Sequence, residues 1–302
     1  MYEDILDRYR HGDRRALARL ISLAARGEAL AEIAAALPAA TGPARVIAVT
    51  GGAGVGKSTL LGRLIGIAHG EGHRVAVLAC DPQSPLSGGA LLGDRFRMAA
   101  PPGDGVFIRS LAAVGGRGAV AEHLDVIIGL LEGFGFDVIF VETVGAGQGD
   151  VAVTGLADGV VLLVQPESGD DLQWEKAGIL ELADVIVVHK ADLPGSDATA
   201  AQLRAMLALA PGRDVVVLPV SSRTGQGHRE LWDALRARPL HRRAPDSAVL
   251  LRLAQDLLAR RLHQAQECRD PELARLLAAW QQDRSTTHDT AERLLRYLST
   301  WG

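Results

Sequence analysis

Seven short runs of Val, Ile and Leu recur between residues 45 and 220, each followed by a loop and a helix-like stretch. A strand that is apolar on both faces belongs in a parallel sheet with helices on each side. In such a sheet, ligands bind at the carboxyl ends of the strands. The pattern predicts an α/β fold with a doubly wound, mainly parallel sheet, and its strands are Val46 to Thr50, Val75 to Cys80, Val106 to Arg109, Val138 to Thr143, Val160 to Gln165, Val185 to His189 and Val215 to Val220.

The first run leads directly into a glycine-rich segment, residues 51–59, with the sequence GGAGVGKST. This segment fits the pattern G-x-x-x-x-G-K-[ST] between a strand and a helix. Glycines let backbone N–H groups converge on phosphate oxygens, Lys57 neutralises the β- and γ-phosphates, and the Ser58 hydroxyl can ligate Mg²⁺. We therefore expect a nucleoside triphosphate at Gly52, Gly54, Val55, Gly56, Lys57, Ser58 and Thr59.

Lysine usage supports this assignment independently. Arginine fills 29 of the 32 basic positions, and only Lys57, Lys176 and Lys190 are lysine. Because a compact ammonium fits a phosphate loop and a guanidinium fork does not, a retained lysine indicates a site that needs a point charge. The same argument directs attention to Lys176 and Lys190.

The segment His189-Lys190-Ala191-Asp192 follows the sixth run and is similar to the [N/T]-K-x-D guanine motif. The Asp192 carboxylate can accept from guanine N1–H and N2–H, whereas adenine offers no such pair of donors. Lys190 would pack along the base, and the Ser221-Ser222 loop would bring a backbone N–H to guanine O6. We therefore expect GTP rather than ATP, with His189 in the place of the usual asparagine that braces the phosphate loop.

Acidic residues follow the strands or lie in the intervening loop. Asp81 follows the second run, Asp94 lies in the loop after it, and Glu142 ends the fourth run. Carboxylate oxygens are hard donors that suit Mg²⁺. These three residues, with Ser58, are the candidate metal site.

Several motifs in one order resemble the MeaB/ArgK family of P-loop GTPases. They are residues 81–94, residues 142–148 and the early segment 11–19, and the resemblance covers about residues 8 to 240. It implies a SIMIBI-type P-loop NTPase fold and a GTP-hydrolysing metallochaperone. Such a protein gates adenosylcobalamin loading and the release of damaged cofactor for a cobalamin-dependent acyl-CoA mutase. Because no loop glutamine is clearly placed to orient water, although Gln148 is available, we expect slow hydrolysis of GTP that the partner stimulates.

The resemblance also implies roles for particular residues. Lys57 and Glu142 would be the catalytic groups, and Glu142-Thr143-Val144-Gly145 would replace the common D-x-x-G switch. Asp170, Gln173 and Lys176 match an additional switch loop that couples nucleotide state to the mutase. The implied partners are an acyl-CoA mutase and its adenosyltransferase, and no cobalamin site is readable in the chain.

Helical extensions flank the central region. Residues 1–40 form an N-terminal helical extension, 41–240 the GTPase domain and 241–302 a C-terminal helical arm. Apolar residues recur at helical spacing in both extensions. The arm either dimerises or folds back onto its own core, and the resemblance favours a homodimer.

Charge and composition narrow the function classes. The net charge is −4, with 32 basic and 36 acidic residues and no block of one sign, so no nucleic-acid or membrane partner is expected. The N-terminus lacks a secretory or transit pattern, which predicts a cytoplasmic protein. Two other functions stay open: a GTP-dependent kinase of a protein or transport component, and a nickel-insertion GTPase.

Overall fold

The computed structural model describes residues 2–37, 43–82, 105–113, 123–143, 153–166, 183–209, 214–240, 247–282 and 285–300. The chain divides into two compact units. Unit 1 is Met1–Ala244 and unit 2 is Pro245–Gly302.

Unit 1 is built on a seven-stranded parallel sheet. Its strands are β1 (Arg45–Gly51), β2 (Val75–Pro82), β3 (Val106–Ala113), β4 (Val138–Glu142), β5 (Gly159–Val164), β6 (Val185–His189) and β7 (Val216–Val220). They lie in the order β3-β2-β4-β1-β5-β6-β7, and all the pairs are parallel. Each predicted run forms a strand, and the third extends beyond its predicted end to Ala113. The predicted fold class is therefore confirmed.

Helices cover both faces of this sheet. Those described in unit 1 are α1 (Glu3–Arg10), α2 (Arg14–Ala25), α3 (Leu30–Ala36), α4 (Lys57–Gly70), α5 (Leu124–Gly133), α6 (Ser196–Ala208) and α7 (His228–Ala237). Alternate side chains of β1 enter different cores. Val46 and Ala48 pack with α1, α2 and α5, whereas Ile47 and Val49 pack with α4 and α7. The continuous apolar sequence of β1 follows from this double coverage.

The N-terminal helices are part of the core of unit 1. Asp13 caps α2 by accepting hydrogen bonds from the backbone N–H groups of Arg15 and Ala16. Leu17 and Leu20 of α2 are fully buried against the sheet. The Tyr9 hydroxyl of α1 donates to the carbonyl of Leu130 in α5 at 2.8 Å.

Unit 2 consists of α8 (Ser247–Glu267), α9 (Pro271–Gln281) and α10 (Thr287–Thr300) in the described residues. Arg261 of α8 donates to the carbonyls of Leu298 and Ser299 in α10. Trp280 and Leu295 expose 42% and 51% of their surface, so unit 2 presents apolar side chains as well as burying them. Across the part of the chain that is described, every helix is too short or too polar to cross a bilayer.

Candidate functional site

The strand order brings four segments together at the carboxyl edge of the sheet. The glycine-rich loop follows β1, and Glu142 ends the neighbouring strand β4. On the other side of β1, β5 separates it from β6 and β7, which lead into Asp192 and Ser221. The described residues among the predicted phosphate, metal and base positions therefore share one edge, as ligand sites of doubly wound sheets do.

The glycine-rich loop requires glycine at both of its ends. Gly51 has φ +150°, and a Cβ there would lie 2.6 Å from the carbonyl oxygen of Leu163. Gly56 has φ +101°, and a Cβ there would collide with the His189 ring. Helix α4 begins at the next residue, Lys57, so its first backbone N–H groups and its positive dipole end lie at the loop.

The Lys57 side chain is hydrogen-bonded to the glycine-rich loop. Its buried ammonium donates to the carbonyls of Gly51 at 2.9 Å and Gly52 at 3.2 Å. A buried ammonium requires hydrogen-bond acceptors or an anion, and the loop supplies the carbonyls. This arrangement places a positive charge at a helix N-terminus, which is the chemistry of an anion site.

The proposed metal residues Ser58 and Glu142 are in direct contact. The Ser58 hydroxyl donates to Glu142 Oε1 at 2.8 Å, and both side chains are buried. The β1–β4 register pairs Val49 with Glu142, and Thr143 N–H donates to the Val49 carbonyl at 3.0 Å. The sheet therefore fixes the carboxylate next to the start of α4.

Asp192 is held by two partners at the other end of the site. The Ser221 hydroxyl donates to its Oδ1 at 2.5 Å, and Arg223 Nε lies 2.9 Å from its Oδ2. The Ser221 hydrogen bond, with support from Arg223, holds the pKa of Asp192 below its ordinary value. The carboxylate is thus ionised and acts only as an acceptor.

Lys190 and Ser221 are the other described residues that the sequence predicts at the base. Lys190 has φ +58°, a backbone conformation that residues other than glycine rarely adopt. Its ammonium donates to Oε1 of Gln165, the residue after β5, at 2.9 Å. The Ser221 N–H donates to the Gln226 carbonyl at 3.0 Å. Of the two predicted serines, Ser221 is therefore committed through both its hydroxyl and its N–H.

His189 contacts the phosphate loop despite replacing asparagine. Its Nδ1 lies 2.7 Å from the Val55 carbonyl oxygen, and its Nε2 lies 2.9 Å from Ser222 Oγ. Burial lowers the pKa of His189, which favours the neutral ring. In the neutral ring Nδ1–H donates to the Val55 carbonyl, so His189 links the loop after β7 to the phosphate loop.

Some predicted residues lie outside the described part of the chain. These are Asp94, Asp170, Gln173 and Lys176, and of Asp81 only the backbone, at the end of β2, is described. Three described residues that contact predicted site residues escaped the sequence prediction: Arg223, His228, whose Nε2 lies 3.2 Å from Ser222 Oγ, and Gln165. The segment around the first two is rich in Gly, Ser and Thr, and no spacing rule distinguishes them from loop residues.

These features together are those of a P-loop GTPase: a glycine-rich nucleotide loop, a buried Ser58–Glu142 pair and an ionised Asp192, all on a parallel sheet. The family model described as "Methylmalonyl Co-A mutase-associated GTPase MeaB" matches residues 17–263, and the chain belongs to that family. The family predicted from the motifs is therefore confirmed, as is GTP hydrolysis as the activity.

Individual relatives agree with this assignment. A protein of Pyrococcus abyssi that is named as a GTPase is 46% identical over 245 residues, 78% of this chain and 75% of that protein. The mitochondrial methylmalonic aciduria type A homolog of Mus musculus is 39% identical over 63% of this chain and 48% of its own length. The fused isobutyryl-CoA mutase of Cupriavidus metallidurans is 38% identical over 63% of this chain and 18% of its own length.

One solved structure extends the comparison to the fold. The crystal structure of LAO/AO transport system kinase has a TM-score of 0.63 and covers 98% of this chain and 97% of that chain. Its sequence identity is 24%, so the likeness concerns the fold alone.

Proposed function

We propose that this GTPase is a chaperone of an adenosylcobalamin-dependent acyl-CoA mutase. It gates loading of the cofactor and protects or reactivates the mutase. The observation that carries the proposal is the Cupriavidus relative, in which a segment 38% identical to this chain belongs to a fused isobutyryl-CoA mutase. Fusion keeps two modules at high effective concentration, which favours modules that act on each other.

The nucleotide lies along the carboxyl edge of the sheet in this proposal. Its phosphates bind the loop of Gly52, Gly54, Val55 and Gly56 and the α4 residues Lys57, Ser58 and Thr59. The guanine N1–H and N2–H donate to Asp192, and Lys190 packs along the base. Because the Ser221 N–H already donates to Gln226, the N–H of Ser222 is the one assigned to guanine O6.

The family implies Mg²⁺, and the donor set of this site fits it. Ser58 Oγ and Glu142 Oε1 are buried oxygen donors 2.8 Å apart, next to the phosphate loop. Hard oxygen donors are the ligands that Mg²⁺ prefers, together with substrate phosphates. Ser58 and Glu142 would hold the ion, with Asp81 and Asp94 as further proposed ligands, and the bound ion supplies neutralisation of phosphate charge.

In this proposal, hydrolysis depends on a positively charged side chain held next to the phosphates. Lys57 brings a fixed positive charge to the β- and γ-phosphates, where negative charge accumulates during phosphoryl transfer. The brace from His189 to Val55 fixes the loop that carries the phosphates. We expect slow turnover in the isolated chain and stimulation by the mutase through Asp170, Gln173 and Lys176.

We also propose that the chain forms a homodimer through unit 2. The exposure of Trp280 and Leu295 supports this, because homodimer interfaces are more apolar than the rest of the surface and are enriched in aromatic residues. Sedimentation of the wild type and of Trp280→Ser tests it: a dimer that dissociates in the variant supports the interface, and a monomeric wild type contradicts it.

Complex formation with the mutase tests the chaperone function. The purified chain is mixed with apo-mutase from the same source in GDP or in a non-hydrolysable GTP analogue, and adenosylcobalamin transfer from the adenosyltransferase is followed. We expect a complex and a transfer rate that depends on which nucleotide is bound. Absence of a complex in both states would contradict the proposal, and transfer of ³²P from γ-labelled GTP to the mutase would identify a kinase instead.

A further inference from the structure

The far end of the Lys190 side chain is held by an uncharged side chain from the neighbouring strand. Lys190 follows β6 and Gln165 follows β5, and these two strands pair with Val164 opposite Val188. Lys190 Nζ donates to Gln165 Oε1 at 2.9 Å, and both residues are half-buried. The hydrogen bond therefore joins the lysine ammonium to the end of β5.

The backbone at Lys190 is fixed independently of this contact. Leu193 N–H donates to the Lys190 carbonyl at 2.9 Å, and Ala191 N–H donates to the Val220 carbonyl of β7 at 3.1 Å. The Ser196 hydroxyl of α6 donates to the Ala191 carbonyl at 3.1 Å. These contacts set the point from which the side chain leaves, so the flexible four-carbon stem is the part of Lys190 that Gln165 fixes.

Gln165 lies between two fixed neighbours. Val164 before it is fully buried at the end of β5. The carbonyl of Pro166 after it accepts a hydrogen bond from Thr199 Oγ1 at 3.3 Å, and Thr199 is a buried residue of α6. The amide of Gln165 is therefore presented to Lys190 from a rigid part of the chain.

The chemistry of the pair suits a side chain that must be held without losing its charge. The ammonium of Lys190 has three donors, and the amide oxygen of Gln165 accepts one of them without neutralising it. A long lysine side chain loses rotamer freedom when a ligand immobilises it. A contact that holds the stem beforehand reduces that loss and so favours binding.

We propose that Gln165 is a positioning residue for guanine nucleotides. By holding the Lys190 ammonium, it keeps the lysine stem in place for packing along the guanine. This inference rests on the proposed position of the guanine beside Lys190. Because Gln165 acts through Lys190 and at the base end, its loss should weaken guanine nucleotides and not a ligand that consists of phosphates alone.

The test compares dissociation constants of GDP and of inorganic pyrophosphate for the full chain, both measured by competition with a fluorescent GDP. Gln165→Met keeps the length of the side chain and removes the amide oxygen, whereas Gln165→Glu keeps an oxygen acceptor. Gln202→Met is the matched control, because Gln202 is an exposed glutamine of α6. Lys190→Met supplies a background without the ammonium.

We expect Gln165→Met to raise the dissociation constant of GDP about fivefold, the worth of one hydrogen bond, and to leave that of pyrophosphate unchanged. Gln165→Glu should bind GDP within about twofold of the wild type, as should Gln202→Met. In the Lys190→Met background, Gln165→Met should cause no further loss, because the two residues act as one unit. Gln165→Ala removes the same oxygen and should show the same loss if Gln165→Met does not fold.

The contact can also be observed without nucleotide, because the chain has only three lysines. Protein labelled with ¹⁵N in the lysine side chain gives at most three Nζ signals, and Lys190→Met identifies the one from Lys190. We expect Gln165→Met to shift this signal and Gln202→Met to leave it in place.

Two results would overturn the role of Gln165: unchanged GDP affinity in folded Gln165→Met, or an equal further loss in the Lys190→Met background. An equal loss of pyrophosphate affinity would also overturn it, since it would indicate general damage to the site. Wild-type GDP affinity in folded Lys190→Met would instead contradict the proposed position of the guanine.

Discussion

Ser58 Oγ donates to Glu142 Oε1 at 2.8 Å, joining the first turn of α4 to the last residue of β4. The two side chains come from positions 84 residues apart in the sequence. The β1–β4 register fixes their meeting, because Val49 lies opposite Glu142 and the glycine-rich loop starts shortly after Val49. This contact places two oxygen donors together, so removing the Ser58 hydroxyl should affect GTP binding only when Mg²⁺ is present.

Ser58→Ala should weaken GTP binding by about tenfold in the presence of Mg²⁺, because it removes a hydroxyl ligand of the ion. In excess EDTA the wild type and the variant should bind with similar affinity. Isothermal titration in both buffers measures the difference. An equal loss with and without Mg²⁺ would assign Ser58 to the phosphates instead of the metal.

Lys57→Ala should reduce GTP affinity by more than about a hundredfold, because it removes the positive charge at the phosphate loop. Lys57→Arg should not restore binding, since a planar guanidinium does not fit where a slim ammonium donates to Gly51 and Gly52. Thermal unfolding of both variants checks that the loop still folds. Unchanged affinity in a folded Lys57→Ala chain would contradict the phosphate-loop assignment.

Arg223→Ala should increase the association rate of GDP by about two- to fivefold. Arg223 Nε binds Asp192 Oδ2, one of the two carboxylate oxygens that guanine N1–H and N2–H would use, so incoming guanine must compete with a weak ion pair whose arginine is exposed. Arg236→Ala is a matched control, because it removes one exposed arginine from α7. A slower association in Arg223→Ala alone would indicate that Arg223 assists binding.

Tyr9→Phe should lower the free energy of unfolding by about 1 kcal/mol at neutral pH, because it removes the hydrogen bond to the Leu130 carbonyl. Burial raises the pKa of Tyr9 to about 12. Above pH 10 the unfolded chain releases this proton before the folded chain does, so wild-type stability falls through that window up to pH 12. Urea unfolding at pH 10 and at pH 12 should show a smaller fall in the free energy of unfolding for Tyr9→Phe than for the wild type. Equal falls in the two proteins would contradict burial of this hydroxyl.

Local sequence patterns were sufficient for the sheet and the phosphate loop. A run such as Val185 to Val188 is apolar throughout because both faces of the sheet are covered, and the pattern G-x-x-x-x-G-K-[ST] between a strand and a helix is typical of a phosphate-binding loop. The sequence assigned Asp192 and Ser221 to one site at the edge of the sheet, and the structure adds a direct contact between them at 2.5 Å. These features depend on periodicity and on strand order.

Contacts between distant loops could not be predicted in the same way. His228 meets Ser222 because α7 begins directly behind the loop after β7, and Arg223 meets Asp192 because β6 pairs with β7. Neither His228 nor Arg223 belongs to a sequence motif that would have indicated its contact. The replacement of asparagine by His189 was visible in the sequence, but the reach of its ring to both Val55 and Ser222 depends on side-chain geometry.

Phosphate release from GTP and from ATP, with and without the acyl-CoA mutase from the same source, tests the central claim most directly. We predict slow turnover of GTP alone, turnover at least about tenfold faster with the mutase, and little turnover of ATP in either case. Equal use of ATP would contradict the role of Asp192 in base selection. GTP turnover that the mutase leaves unchanged would contradict the proposed chaperone function.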